Sequence, residues 1–189
     1  MTLIYLYSLL RMLFWRGATR GLSGTEVYIE FLQGQRLTSH GKSLQDILAY
    51  NDRQLEADHQ FIQWIFPLPD PSPYNPNAPL IDIRLLLSNS IVKDKILLSY
   101  EKMRNFWGLG DEIDLEKLEK LNGHNGLRFS RALQSLVYHD QQALAEHLLE
   151  KALANLHVLK PKMHASGVTL WQNLYEKAVR EVGDARSSP

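Results

Sequence analysis

The sequence predicts an all-α fold: one compact multi-helix domain with a proline-rich loop packed on its surface. Three observations lead there. Apolar residues recur in steps of three and four along almost the whole of the 189 residues, the spacing of one helix face. No segment shows sustained apolar–polar alternation; Val27–Phe31 is the single strand candidate, and it reads equally well as a helix. Six of the eight prolines, at positions 67, 69, 71, 73, 76 and 79, crowd into one stretch that neither a helix nor a central strand survives.

The elements follow in order. Residues 1–24 form an apolar segment with Leu3, Ile4, Leu6, Leu9, Leu10, Leu13 and Phe14. It falls short of the roughly 20 apolar residues that span a bilayer. Arg11, Arg16 and Arg20 lie within or after the run, whereas a secretory signal carries its charge before it. No acidic residue precedes Glu26. The ordinary reading is a first core helix, or a chain that properly starts at Met12; the alternative is a helix lying on a membrane surface through residues 1–22.

Ser43 caps a short helix carrying Leu44, Ile47 and Leu48, with Asp46 closing a capping box. Asn51 caps the next, with Gln54 three residues on, and the apolar pattern runs without interruption to Phe66. Leu55, His59, Ile62 and Phe66 share one stripe; Ala57, Phe61 and Ile65 share another. A helix apolar nearly all round is a buried one, so His59 and Gln63 must find partners. Pro67 stops it, and residues 67–80 make a stiff extended loop in which Tyr74, Asn75, Ala78 and Leu80 can pack back on the body.

Asp82 caps a helix over Leu85–Leu87. Residues 91–107 follow, with Ile96, Tyr100, Met103 and Trp107 on one stripe, ended by Gly108. A short segment at 112–121 is closed by Gly123. Asn125 caps a helix to residue 138 that turns Phe129, Leu133, Leu136 and Val137 inward. Residues 140–160 and 167–182 supply two more, separated by Pro161, and 183–189 should fray.

Composition narrows the function. Lysine plus arginine equals aspartate plus glutamate at 21 each, so the formal net charge is zero. No nucleic-acid partner is expected, because such binders carry a basic face. With no cysteine, disulfides, thiolate metal sites and cysteine nucleophiles are excluded. A cytoplasmic location is favoured, with peripheral membrane contact through the amino-terminal segment as the variant.

Two runs concentrate the polar groups. The first is Leu55–Pro67, with Glu56, His59, Gln63 and Trp64; the second is His124–Arg131, with His124, Asn125, Arg128 and Arg131. Glu56 and His59 stand three apart, the spacing of one half of a di-iron bundle site. No second copy of the motif exists, so no metal or cofactor is expected; the usual role of such a histidine is a bond to a carbonyl or carboxylate. Arg128 and Arg131 share a face and suit a carboxylate, from a ligand or from Glu56 or Asp58. Gly41-Lys42-Ser43 lacks the glycine and the preceding strand of a phosphate loop and reads as a turn. His139-Asp140 and Glu146-His147 read as surface pairs.

At these two runs the chain resembles the opioid growth factor receptor conserved domain family. The family's Leu-Glu-x-x-His-x-aromatic-Ile-Gln-Trp-Leu-Phe-Pro segment stands here as Leu55–Pro67, with Ile65 where leucine is usual. Its His-Asn-Asn-Leu-Arg-Ile-Thr-Arg segment stands as His124–Arg131, with Gly126 for the second asparagine and Phe129-Ser130 for Ile-Thr. Phe31, Gly34, Gly41 and Ile47 upstream, and Asn75, Ala78, Pro79 and Leu80 after the prolines, also fit. The resemblance implies a family domain over residues 25–160, with 161–182 as its closing helix. It is similar to the short, single-domain members rather than the animal proteins, which are described as non-classical receptors for an enkephalin-type growth factor, associated with membranes and the nucleus. It transfers no catalytic residues.

Three functions stay open. The first is a non-enzymatic binding module for a peptide or small molecule. Its site would lie where the 55–67 segment, the proline loop and the 124–131 run meet. Glu56 would pair a ligand amine, Arg128 or Arg131 a carboxylate, and Trp64 and Tyr74 would supply aromatic contact; His59, Gln63, His124 and Asn125 complete the set. The second is a metal-dependent enzyme using Glu56, His59 and His124. The third is a membrane-surface scaffold through residues 1–22.

Overall fold

The computed structural model describes residues 22–159 and 165–187, and among them every regular element is a helix. The readings of the amino-terminal segment and of Pro161 fall outside these residues.

Eleven helices follow in chain order: α1 Gly24–Leu32, α2 Leu44–Leu48, α3 Asp52–Ala57, α4 Ile62–Ile65, α5 Ile83–Leu87, α6 Ser90–Phe106, α7 Leu115–Leu118, α8 Gly123–Tyr138, α9 Gln142–Ala154, α10 Leu156–Leu159 and α11 Ala165–Ser187. Val27–Phe31 is therefore helical. The short helices are set by local chemistry. Ser23, Ser43 and Asn51 each close a capping box, and Asp82 caps α5 through the amides of Arg84 and Leu85, each cap satisfying amides with no partner inside the helix. Gly41-Lys42-Ser43 is the turn before α2, with Gly41 at φ +73°.

Helix α8 is the axis of the domain. From Phe129 to Tyr138 every residue but Arg131 is buried. Helices α9 and α11 pack along it, and α5 and α6 touch it. Phe129 lies between Trp107, the residue that caps the end of α6, and Trp171 of α11, with ring centroids 5.3 and 4.6 Å away. The proline segment is tied at both ends. Leu68, Ala78 and Ile81 are buried, and the Ile81 amide donates to the Leu68 carbonyl. The Asp82 amide donates to Thr25 Oγ1 at 2.7 Å. At Gly24 a β-carbon would stand 2.0 Å from the Leu80 carbonyl oxygen, so only glycine allows α1 to approach this closely.

Four local expectations need correction. Residues 51–66 are not one helix: α3 ends at Ala57, and Asp58 is extended (φ −85°, ψ 119°). Helix α8 starts after Asn122, not Asn125, and Asn125 is buried inside its first turn. The tail does not fray at residue 183; α11 runs to Ser187, and Arg186 pairs with Asp140 in the α8–α9 turn.

The fourth correction is His139, which is 1% exposed rather than on the surface. A helix surrounded on all sides buries residues of every phase. Its Nδ1 donates to the Ser135 carbonyl at 2.6 Å, which sets the tautomer, and in the neutral ring Nε2 accepts from the Tyr28 hydroxyl at 3.0 Å. Burial pushes its pKa down to about 4. An unfolded histidine takes its proton near pH ~6.5. Between those values the unfolded chain binds more protons than the folded one, so stability falls as pH drops. We expect a loss of about 2 kcal/mol from this residue between about pH 7 and about pH 5. Urea unfolding at the two values checks it, and His139→Gln should flatten the difference.

Candidate functional site

Breaking the helix at Asp58 releases carbonyls that a continuous helix would have used, and α8 supplies donors for them. Arg128 Nη1 donates to the Leu55 carbonyl (2.9 Å) and Nη2 to the Asp58 carbonyl (2.6 Å). Arg131 Nε donates to the Phe66 carbonyl (2.8 Å), and Ser135 Oγ to that of Pro67 (3.0 Å). These residues stand at i, i+3 and i+7, one stripe of the helix. Asn75 of the proline loop donates to the Gln60 carbonyl at 2.8 Å. The break itself is held by Asp58, whose carboxylate accepts from the Gln60 amide and the Tyr50 hydroxyl. The two polar runs are thus halves of one staple: an irregular buried segment, and the helix face that satisfies it.

The arginines do not pair with Glu56 or Asp58. Glu56 is taken by other partners: His124 Nε2 stands 2.9 Å from one oxygen, and Asn125 Nδ2 donates to the other at 3.0 Å. Asn125 Oδ1 in turn accepts from Arg128 at 3.1 Å. The His59 and His124 rings meet edge to face, with centroids 5.3 Å apart. His124 has a lowered pKa, chiefly because burial disfavours its cation; Glu56 opposes that effect. Arg128 packs its guanidinium 5.3 Å from the Phe61 ring centre.

Beside the staple, between α4, the proline loop and α8, lies a half-open cavity of about 300 Å³. Its walls are mostly apolar, with Ile62, Leu68, Pro71, Pro73, Tyr74 and Leu127. Of the nine residues singled out from the sequence, His59, Gln63, Tyr74, His124, Arg128 and Arg131 line it. Glu56 and Asn125 stand behind, on a neighbouring cavity. Trp64 is elsewhere: it is 3% exposed and packs on Phe31 at 5.2 Å. His59 is exposed, not the buried histidine that a continuous helix would give. Gln63 is 4% exposed, and its Nε2 reaches Ser72 Oγ only at 3.4 Å.

Leu68, Asp70, Ser72, Ser130 and Gln134 also line the cavity and were not singled out. Gln134 had a signal, since it lies three residues after Arg131 on the same helix face. The loop residues had none, because a proline segment has no periodicity. Arg131 differs from Arg128. Its single hydrogen bond among the described residues is the one to Phe66, and no carboxylate pairs with it. Burial alone pushes its pKa down to about 10, and it stays a cation at neutral pH. Glu56, His59 and His124 do not compose a metal centre: among the described residues no group of three or more His, Asp or Glu is placed to hold an ion. No described helix is long and apolar enough to cross a membrane.

Fold and site together define an all-α domain whose central helix satisfies a broken, proline-terminated segment. The chain belongs to the opioid growth factor receptor family: the family model described as "Opioid growth factor receptor (OGFr) conserved region" matches residues 29–182. The opioid growth factor receptor of Homo sapiens is 29% identical over 157 residues, covering 71% of this chain and 23% of that protein. That of Mus musculus is 31% identical over 140 residues, covering 60% of this chain and 22% of the relative. The chain thus spans less than a quarter of the length of these curated relatives. No solved structure matches it.

Proposed function

We propose that the domain is a binding module that takes a peptide or small molecule in the cavity between α4, the proline loop and α8. One observation carries this reading. Two stretches distant in sequence, residues 59–74 and 124–134, converge on a half-open space of about 300 Å³ whose walls are mostly apolar, the ordinary character of a ligand site. The name of the relatives, receptors for a growth factor, supports a receptor-like role. The chemistry of the site supports binding over catalysis: His124 is engaged with Glu56 behind the cavity, the lining carboxylate Asp70 pairs with Lys177, and Arg128 is spent on main-chain carbonyls.

A fragment and short-peptide screen followed in ¹H–¹⁵N correlation spectra tests the reading. Binders should move the amides of Gln63, Ser72, Tyr74, Leu127 and Ser130 together. Binders that move only other surfaces would sink it. Tyr74 is 68% exposed on the rim, so Tyr74→Ala should change stability by less than about 0.5 kcal/mol. It should weaken any ligand in the cavity by about three- to tenfold, the worth of one aromatic contact, as measured by titration of the two proteins.

A further inference from the structure

Building on that reading, we infer that the cavity selects a carboxylate terminus preceded by an amide N–H, as in an N-acylated amino acid or the last residue of a peptide with an apolar side chain. Arg131 and Gln134 carry the inference. The Arg131 guanidinium is held from behind by its Nε bond to the Phe66 carbonyl. Its two Nη groups have no partner among the described residues, yet they are not among the side-chain atoms sealed from solvent. Arg131 is a lining residue of this cavity, so the Nη fork is open to it. Two parallel Nη–H donors on a fixed plane match a carboxylate. A mostly desolvated cation without a counter-charge is unusual in a folded protein, and a ligand anion removes the anomaly.

Gln134 sets what stands next to that anion. Its Nε2 donates to the Ser130 carbonyl at 3.2 Å. That leaves Oε1, which has no partner among the described residues and is likewise not sealed from solvent. One turn from Arg131 on the same face, this acceptor repels a second anionic oxygen and calls for a donor. A phosphate or sulfate offers acceptors on every side and fits poorly; an α-amido carboxylate offers its acceptor pair and its N–H within one residue. Ile62, Leu68 and Leu127 provide the apolar wall for the side chain.

The test uses the full chain and three probes: N-acetyl-glycyl-leucine as the free acid, the same dipeptide as its carboxy-terminal amide, and N-acetyl-leucine. Affinities come from NMR titration. The free acid should bind about tenfold or more tightly than the amide, the worth of hydrogen bonds to a charged group. Gln134→Glu, a near-isosteric change, should weaken the free acid by about tenfold and spare the amide. Arg131→Gln, which keeps a donor for Phe66, should erase the acid–amide difference; if it fails to fold, Gln134→Glu still decides. Tighter binding of the dipeptide than of N-acetyl-leucine assigns a peptide end; equal binding assigns a small N-acyl amino acid, and both agree with the inference. Equal binding of acid and amide overturns the carboxylate anchor while leaving the cavity as a binding site. No binding of any probe into the millimolar range overturns both.

Discussion

Arg128→Ala should lower the unfolding free energy by about 3–5 kcal/mol. Arg128 is 5% exposed, and its guanidinium serves the Leu55 carbonyl, the Asp58 carbonyl and Asn125 Oδ1 at once. Each buried acceptor left without a donor costs about 1–3 kcal/mol. Water recovers part of this, because Asp58 is half-buried and His59 is exposed. Relief from burying the charge offsets another part. Arg128→Lys should recover little, since one ammonium on a flexible stem cannot reproduce a planar fork that reaches two carbonyls. Urea unfolding followed by circular dichroism gives the loss from the shift of the midpoint at constant slope. Hydrogen exchange adds the location: amides of residues 59–66 should lose protection before those of α9 and α11. A loss under about 1 kcal/mol would mean that the broken segment does not depend on this side chain.

That dependence explains which parts of the protein could be read in the sequence. Ser43, Asn51 and Asp82 were legible as caps because a cap is chemistry within three residues. The stripe of α6 was legible because one of its faces is solvated. The break at Asp58 was not, because nothing local announces it: apolar residues continue through it at helical spacing, and its carbonyls are satisfied from Arg128, 70 and more residues away. Asn125 looked like a cap for the same reason that it is valuable inside the helix: a short amide serves Glu56 and Arg128 together. His139 was misplaced because the surface-pair argument assumes a helix with a wet side, and α8 has almost none after Leu127. The lining of the candidate cavity was half legible. His59, Gln63, His124, Arg128 and Arg131 announced themselves as polar groups in apolar runs, whereas the proline-loop wall and Gln134 took meaning only once the loop closed over α8. Trp64, chosen for its chemistry, belongs to the core through Phe31.

Phe129→Ala should cost about 3–5 kcal/mol, the range for emptying a large aromatic site in a packed core. The ring is fully buried and stands edge-on or tilted between Trp107 and Trp171, so three helices, α6, α8 and α11, meet through it. Losing it also removes two aromatic pairs, each worth about 0.5–1.5 kcal/mol beyond its buried area. The tryptophans on either side are not free to collapse: Trp171 Nε1 donates to the Gly126 carbonyl at 2.9 Å, which holds the indole in place and keeps the space open. Gly126→Ala is the informative contrast, one helical turn earlier. A β-carbon there would stand 3.8 Å from Trp171 Cζ2, ordinary contact distance, and alanine in a helix gains up to about 1 kcal/mol over glycine. It should therefore be neutral or mildly stabilising. The denaturant midpoint should fall for Phe129→Ala and hold or rise for Gly126→Ala, and the tryptophan emission of Phe129→Ala should shift to the red in the folded state as water reaches the indoles. If the two changes cost the same, the stack is not what joins α11 to the rest of the domain, and the α8–α11 contact must rest on Ala178, Val182 and the Tyr138–Glu181 bond instead.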